Sequence, residues 1–193
     1  MEEAWKEDIS KVLREVTGLE PRNFSTIDAP IGEDPIQYET VSVELPISRF
    51  PDPIAVAKKV REKMADSSYL VFIGTAKNIY EESSSTVEIV VGRGKSQEDI
   101  IRLARTEAPN YDLETEGVIA NMAKLYEHAE IRILGAAIDS VSIQIKEVKT
   151  NLNQLAEALF EFCGDLSQSD LYSNEEALAK YLKDNDFVFL WWD

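Results

Sequence analysis

Cys163 and His128 are the single cysteine and the single histidine of the chain, and together they are the residue types of a nucleophile and its base. A thiol nucleophile needs an imidazole within hydrogen-bond reach and a third group that orients it, for which Asp165 is the candidate. Cys163, however, falls on the apolar stripe of a predicted helix, where cysteine behaves as a small hydrophobe. His128 falls at a helix end, where a partly charged imidazole suits the dipole. We therefore favour structural roles and a non-enzymatic protein, and keep a Cys/His hydrolase as the alternative.

The other chemical motifs of the chain are incomplete. Gly92-Arg93-Gly94-Lys95-Ser96 follows a predicted strand as a phosphate-binding loop does, but the first glycine of that motif would fall at Ile89. The acidic pairs lack the alternating spacing of a calcium loop. One cysteine permits neither an intrachain disulfide nor a cysteine cluster for zinc. We expect no cofactor and no metal.

The charge balance bears on the partners that the protein can have. The chain has 36 Asp and Glu against 20 Lys and Arg, a formal net charge of −16. Binding to phosphates needs clustered basic residues, so nucleic acid and anionic membrane surfaces are disfavoured. Opposite fields speed encounter, so a basic protein is the favoured partner. The acidic beginning of the sequence and the lack of an apolar run of about 18 residues predict a cytoplasmic protein.

Apolar periodicity predicts the elements that carry these residues. Steps of three and four residues indicate six helices, and short alternating or apolar runs indicate the strands. The predicted helices cover 5–16, 53–64, 97–104, 114–126, 152–163 and 174–182, and the predicted strands cover 38–45, 69–73, 87–91, 131–134, 141–145 and 187–192.

The order of these elements predicts an α+β fold, with amphipathic helices packed on a mostly antiparallel sheet. A helix–strand–strand–helix order occurs twice, over 52–106 and 114–163, which allows a duplicated unit. We expect a single domain over residues 1–193, with a weak seam near 107–113, because no Gly/Ser-rich linker divides the chain.

The last strand carries two adjacent tryptophans, Trp191 and Trp192, after an apolar run that is too costly to leave in water. Successive side chains of a strand point to opposite faces. We therefore expect this strand in the core, with one tryptophan closing the core and the other on the opposite face.

Three segments of the C-terminal half carry a resemblance to a known family. They are residues 110–112 (Asn-Tyr-Asp), 160–165 (Phe-Glu-Phe-Cys-Gly-Asp) and 190–193 (Leu-Trp-Trp-Asp). In this order they resemble the bacterial family of domain of unknown function 4253, over roughly residues 100–193. The family commonly has Cys-Pro-Asp where this chain has Cys163-Gly164-Asp165, so that turn differs. The resemblance implies a fold unit and no reaction.

Two kinds of binding function stay open beside the hydrolase. The first is a protein-binding domain, immunity-like by analogy with small acidic bacterial domains, whose acidic surface meets a basic partner. The second is a small-ligand binder whose pocket is walled by aromatic side chains. The sequence leaves the oligomeric state open. The candidate ligand- or partner-binding residues are Asn110, Tyr111, Asp112, Trp191, Trp192 and Asp193.

Overall fold

A computed structural model describes residues 2–24, 40–64, 68–74 and 85–192. Asp193, residues 38–39 of the first predicted strand and the side chains of residues 2 and 3 lie outside this description. The helices are α1 (Glu2–Thr17), α2 (Pro53–Lys63), α3 (Glu98–Ala104), α4 (Thr115–His128), α5 (Leu152–Phe162) and α6 (Glu175–Tyr181). The strands are β1 (Thr40–Pro46), β2 (Tyr69–Ile73), β3 (Thr86–Arg93), β4 (Ala129–Ala137), β5 (Ser140–Val148) and β6 (Phe187–Trp191).

These strands form one sheet in the order β1-β3-β2-β4-β5-β6. Every neighbouring pair is antiparallel except β2 and β4, which are parallel and meet at Ile73 and Gly135. Glycine is required at this contact, because a Cβ on residue 135 would lie 2.6 Å from the Ile73 carbonyl oxygen. The predicted α+β architecture is confirmed, and the parallel contact joins its N-terminal and C-terminal halves.

The helices lie on both faces of the sheet and enclose two apolar cores. On one face α1 and α2 cover β1, β3 and β2, with Ile9, Leu13 and Val60 fully buried there. On the other face α3 to α6 cover the sheet from β3 to β6. Strand alternation divides the residues between the cores, since Val71 faces the first and Phe72 the second.

The helix–strand–strand–helix order does occur twice along the chain, but the two units pack differently. In the first unit α2 lies in the core with α1, whereas α3 lies in the opposite core. In the second unit α4 and α5 share one core. The common order is therefore not a duplicated packing arrangement.

The predicted seam near 107–113 is tied to the rest of the fold. Glu107 N donates to Ile138 O at 2.8 Å, and the Thr106 hydroxyl donates to Ala137 O at 2.7 Å. Ala108 and Leu113 form an isolated antiparallel bridge around a 3₁₀ turn, Pro109–Tyr111. Within the described ranges, no helix is long and apolar enough to cross a membrane.

Candidate functional site

The three segments that carry the family resemblance come together in space around a second 3₁₀ turn, Gly164–Gln168. We call this contact region the motif junction and define it as Tyr111, Phe162, Cys163, Gly164, Asp165, Trp191 and Trp192. Residue 111 comes from the turn before α4, residues 162–165 from the end of α5, and the tryptophans from the end of β6. Sequence spacing alone does not predict that these distant segments meet.

Tyr111 forms the outer side of the junction. Its hydroxyl donates a hydrogen bond to the Asp165 carboxylate, and burial, that bond and the carboxylate charge raise the pKa of the Tyr111 phenol. A Cβ on Gly164 would lie 3.0 Å from the Tyr111 hydroxyl oxygen, so the small residue lets the phenol approach the turn. Asp165 is itself only 8% exposed, and its Oδ1 also accepts from Gln168 Nε2 at 2.9 Å. The carboxylate therefore holds the turn together.

Cys163 lies directly after α5 and is completely buried. Its thiol donates to the main-chain oxygen of Trp191, with an Sγ–O distance of 3.0 Å. Burial raises the pKa of the Cys163 thiol to about 12. Because the thiolate and not the thiol is the nucleophile, this cysteine is poorly suited to attack a substrate at neutral pH.

The tryptophan pair divides between the two faces as strand alternation predicts. Trp192 is 3% exposed, its ring centroid lies 5.1 Å from that of Phe162, and its Nε1 donates to Phe162 O at 3.2 Å. That carbonyl is at the end of α5, where main-chain oxygens lack helical partners. Trp191 is half-buried and stacks on Phe189, with the ring centroids 5.7 Å apart. Trp192 thus closes the core and caps α5.

His128 does not join the junction. It is the last residue of α4 and lines a groove of about 560 Å³ between α4 and α5, together with Glu161 and Phe162. Its Nδ1 lies 3.4 Å from the Thr150 hydroxyl oxygen. Among the described residues, no hydrogen bond connects His128 with Cys163, so the pair is not assembled as nucleophile and base.

The remaining candidate residues from the sequence add no catalytic or metal-binding group to the junction among the described residues. The side chains of Asn110 and Asp112 are exposed beside Tyr111, and Asp112 has a left-handed backbone conformation with φ 53°. Asp193 lies outside the described residues. In the part of the chain that the structure covers, no three His, Cys, Asp or Glu side chains are grouped as metal ligands.

A second region, on α5 and α6, concentrates negative charge. We call it the acidic surface and define it as four exposed glutamates, Glu157, Glu161, Glu175 and Glu176. Three of the four line a groove of about 470 Å³ between the two helices, together with Lys180 and Lys183. Glu161 lines the neighbouring α4–α5 groove. Residues 117–192 contain twelve Asp and Glu against six Lys and Arg. None of the four glutamates of the acidic surface forms an ion pair with another described residue.

The chain was compared with known protein families, curated proteins and solved structures, and one family matches the C-terminal half that contains the motif junction. No curated protein and no solved structure matches the chain. The sequence model of the family described as domain of unknown function (DUF4253) matches residues 88–193, which is more than half of the chain. The match begins within β3, somewhat earlier than the resemblance predicted, and it contains all three segments of the motif junction. The chain therefore belongs to the DUF4253 family.

Proposed function

We propose that this protein is a non-enzymatic binding domain whose acidic surface binds a basic region of another protein. The observation that carries the proposal is the acidic surface itself, because its four exposed glutamates form no ion pairs with other described residues. Opposite charges on a partner would relieve the repulsion between these carboxylates and speed association.

The arrangement of the four glutamates supports this choice of surface. Glu157 and Glu161 are four residues apart on α5 and thus lie on the same helix face. Glu175 and Glu176 form the start of α6, which packs beside α5. The like charges of Glu157 and Glu161, at positions i and i+4, are unfavourable in the free protein. Lysine or arginine side chains of a partner can enter the groove between the helices and pair with them.

The role we propose is that of an immunity-like protein that neutralises a basic toxin in the cytoplasm. Its support is the acidic charge and the analogy with small acidic bacterial domains. The single cysteine is present as a free, buried thiol, which suits a reducing compartment.

The two alternative functions have less support in the geometry. A Cys/His hydrolase needs a reactive thiol, and Cys163 is buried with a raised pKa and donates to a carbonyl. A small-ligand site at the junction needs polar groups that face a ligand. The Tyr111 hydroxyl is already bound to Asp165, and the Trp192 N–H is already bound to Phe162.

The test compares two variants that change the net charge equally. In the surface variant, all four glutamates of the acidic surface become Gln. The control variant changes four exposed glutamates that lie elsewhere on the molecule: Glu62→Gln, Glu114→Gln, Glu130→Gln and Glu147→Gln. Each immobilised protein is exposed to a lysate of the native host, and captured proteins are identified, purified and titrated against all three forms.

The proposal expects one basic protein that the wild type and the control variant capture and the surface variant does not. Capture by the wild type and the surface variant alike would show that the acidic surface is not the binding site. Equal loss of capture by the surface and control variants would show that binding depends on the net charge and not on the position of the glutamates.

A further inference from the structure

The groove between α5 and α6 contains both signs of charge. Its volume is about 470 Å³, and three glutamates of the acidic surface line it together with Lys180 and Lys183. Both lysines are exposed. A partner that entered the groove with basic side chains alone would meet lysines as well as glutamates, and like charges across an interface are unfavourable.

The two signs of charge are separated along α6. Glu175 and Glu176 lie in the first turn of this helix and Lys180 lies in the last. Lys183 follows in the next turn, where its main-chain N–H donates to Lys180 O at 3.2 Å. The helix dipole accounts for acids at the start and bases at the end of a helix, but not for their common face. Glu176 lies four residues before Lys180 and Lys183 lies three residues after it, a spacing that places side chains on one helix face, and all three line the groove.

The direction of α5 preserves this separation. β5 leads directly into α5, and α6 ends shortly before Asp186, whose main-chain oxygen accepts from Ile145 N on β5 at 2.6 Å. The start of α5 and the end of α6 therefore lie at the same end of the sheet. Asn153, near the start of α5, lines the groove at the end that contains the lysines, and Glu157 lines it one turn further along.

We propose that the α5–α6 groove binds an extended segment of a partner protein that has basic residues at one end and acidic residues at the other. This assignment rests on the function proposed above and adds the orientation of the bound partner. Basic side chains pair with the acidic end of the groove, and acidic side chains pair with Lys180 and Lys183 at its basic end. Glu176 and Lys180 are separated by about 6 Å of helix rise, which corresponds to about two residues of an extended segment. The acidic end is formed by Glu157, Glu175 and Glu176.

The test uses two capped synthetic peptides of equal length, Lys-Lys-Ala-Asp-Asp and Lys-Lys-Ala-Asn-Asn. Each is titrated into the whole chain, and binding is followed by the NMR chemical shifts of the main-chain amides of α5 and α6. General attraction to a protein of net charge −16 favours the Asn peptide, because it is the more positive of the two. A groove with an acidic and a basic end favours the Asp peptide, so the order of the two affinities decides between these explanations.

Two double variants locate the effect. Lys180→Gln with Lys183→Gln removes the basic end of the groove. Lys11→Gln with Lys59→Gln is the matched control, because it changes the net charge equally. These two exposed lysines lie on α1 and α2, which cover the opposite face of the sheet.

We expect the wild type and the control variant to bind the Asp peptide about threefold more tightly than the Asn peptide, as for the gain of one or two exposed ion pairs. Lys180→Gln with Lys183→Gln should abolish this preference. Equal binding of the two peptides to the wild type, or tighter binding of the Asn peptide, would overturn the inference without affecting the capture result on which the proposed function depends. Shifts confined to other elements, or no binding of either peptide, would also overturn it.

Discussion

Replacing Trp192 with alanine should destabilise the protein severely, because this side chain both fills the core and caps α5. An indole buries roughly 150–250 Å², and removing a buried tryptophan costs about 3–5 kcal/mol. The substitution also leaves the Phe162 carbonyl without its 3.2 Å donor. We expect the free energy of unfolding to fall by about 4 kcal/mol, which corresponds to a decrease of about 2 M in the urea midpoint. Far-UV circular dichroism in urea measures this change.

Trp191→Ala is the matched control, since it removes the same side chain from the next residue. Trp191 is half-buried at the edge of the core and would lose that burial together with its stack on Phe189, a loss of about 2 kcal/mol. If Trp192→Ala does not fold, Trp192→Phe keeps an aromatic ring but removes the N–H donor and part of the buried indole, and should cost about 2 kcal/mol. Equal destabilisation by the two alanine variants would refute the assignment of Trp192 to the core and of Trp191 to the opposite face.

Three further outcomes follow from other contacts. Gly135→Ala should lower the free energy of unfolding by about 1–3 kcal/mol in urea melts, because the new Cβ meets the Ile73 carbonyl oxygen, a main-chain atom that cannot turn away. Cys163 should react with a thiol reagent at pH 8 at least 100-fold more slowly in the native protein than in urea, because its pKa is raised to about 12. Asp99→Asn should destabilise the protein at pH 7 and much less at pH 3, as followed by urea unfolding at both values. Burial opposes the charge of Asp99, but main-chain donors, chiefly Lys95 N at 2.7 Å, and Arg102 lower the pKa of its carboxyl group. A lowered pKa adds stability above the unfolded value of about 3.9, and that stability is lost as the pH falls through the folded value.

Each of these predictions has a control or an outcome that contradicts it. Gly117→Ala lies on helix α4 and meets only the Leu113 side chain, at 3.1 Å, so it should be neutral or stabilising. A Gly135→Ala variant as stable as Gly117→Ala would contradict the close contact of β2 and β4. Fast native labelling of Cys163 would contradict its burial. A destabilisation by Asp99→Asn that is unchanged at pH 3 would show that the carboxylate charge has no part in it.

Helix faces and strand faces were predictable because both follow from local periodicity. Leu155, Leu159 and Phe162 recur at the helical repeat and are buried in α5 as the pattern predicts. Alternation likewise placed the two tryptophans on opposite faces. Such patterns depend on neighbours along the chain and need no knowledge of distant contacts.

Contacts between distant segments could not be predicted from the sequence. The predicted strand 131–134 stops before Gly135, yet this glycine lies inside β4, because its missing side chain admits the Ile73 carbonyl. The bond between Tyr111 and Asp165 joins residues that no periodic pattern relates. The start of α6 was predicted one residue early, since Asn174, the first residue of the predicted helix 174–182, is the N-cap of α6.

The same limit applies to charge. The net charge of −16 can be read from composition, but composition does not show which acids are paired. Arg102 and Arg22 neutralise acids in the first part of the chain, and the glutamates of α5 and α6 have no such partners among the described residues. Only the fold shows that these paired acids and the acidic surface lie on different elements.

The most direct test of the account is the affinity of a purified basic partner for the wild type and the surface variant, measured by calorimetry at low and at physiological salt. We predict that salt weakens wild-type binding and that the surface variant binds at least tenfold more weakly, with little remaining salt dependence. The control variant should retain the wild-type affinity. An equal dissociation constant for the wild type and the surface variant at both salt concentrations would contradict the central claim.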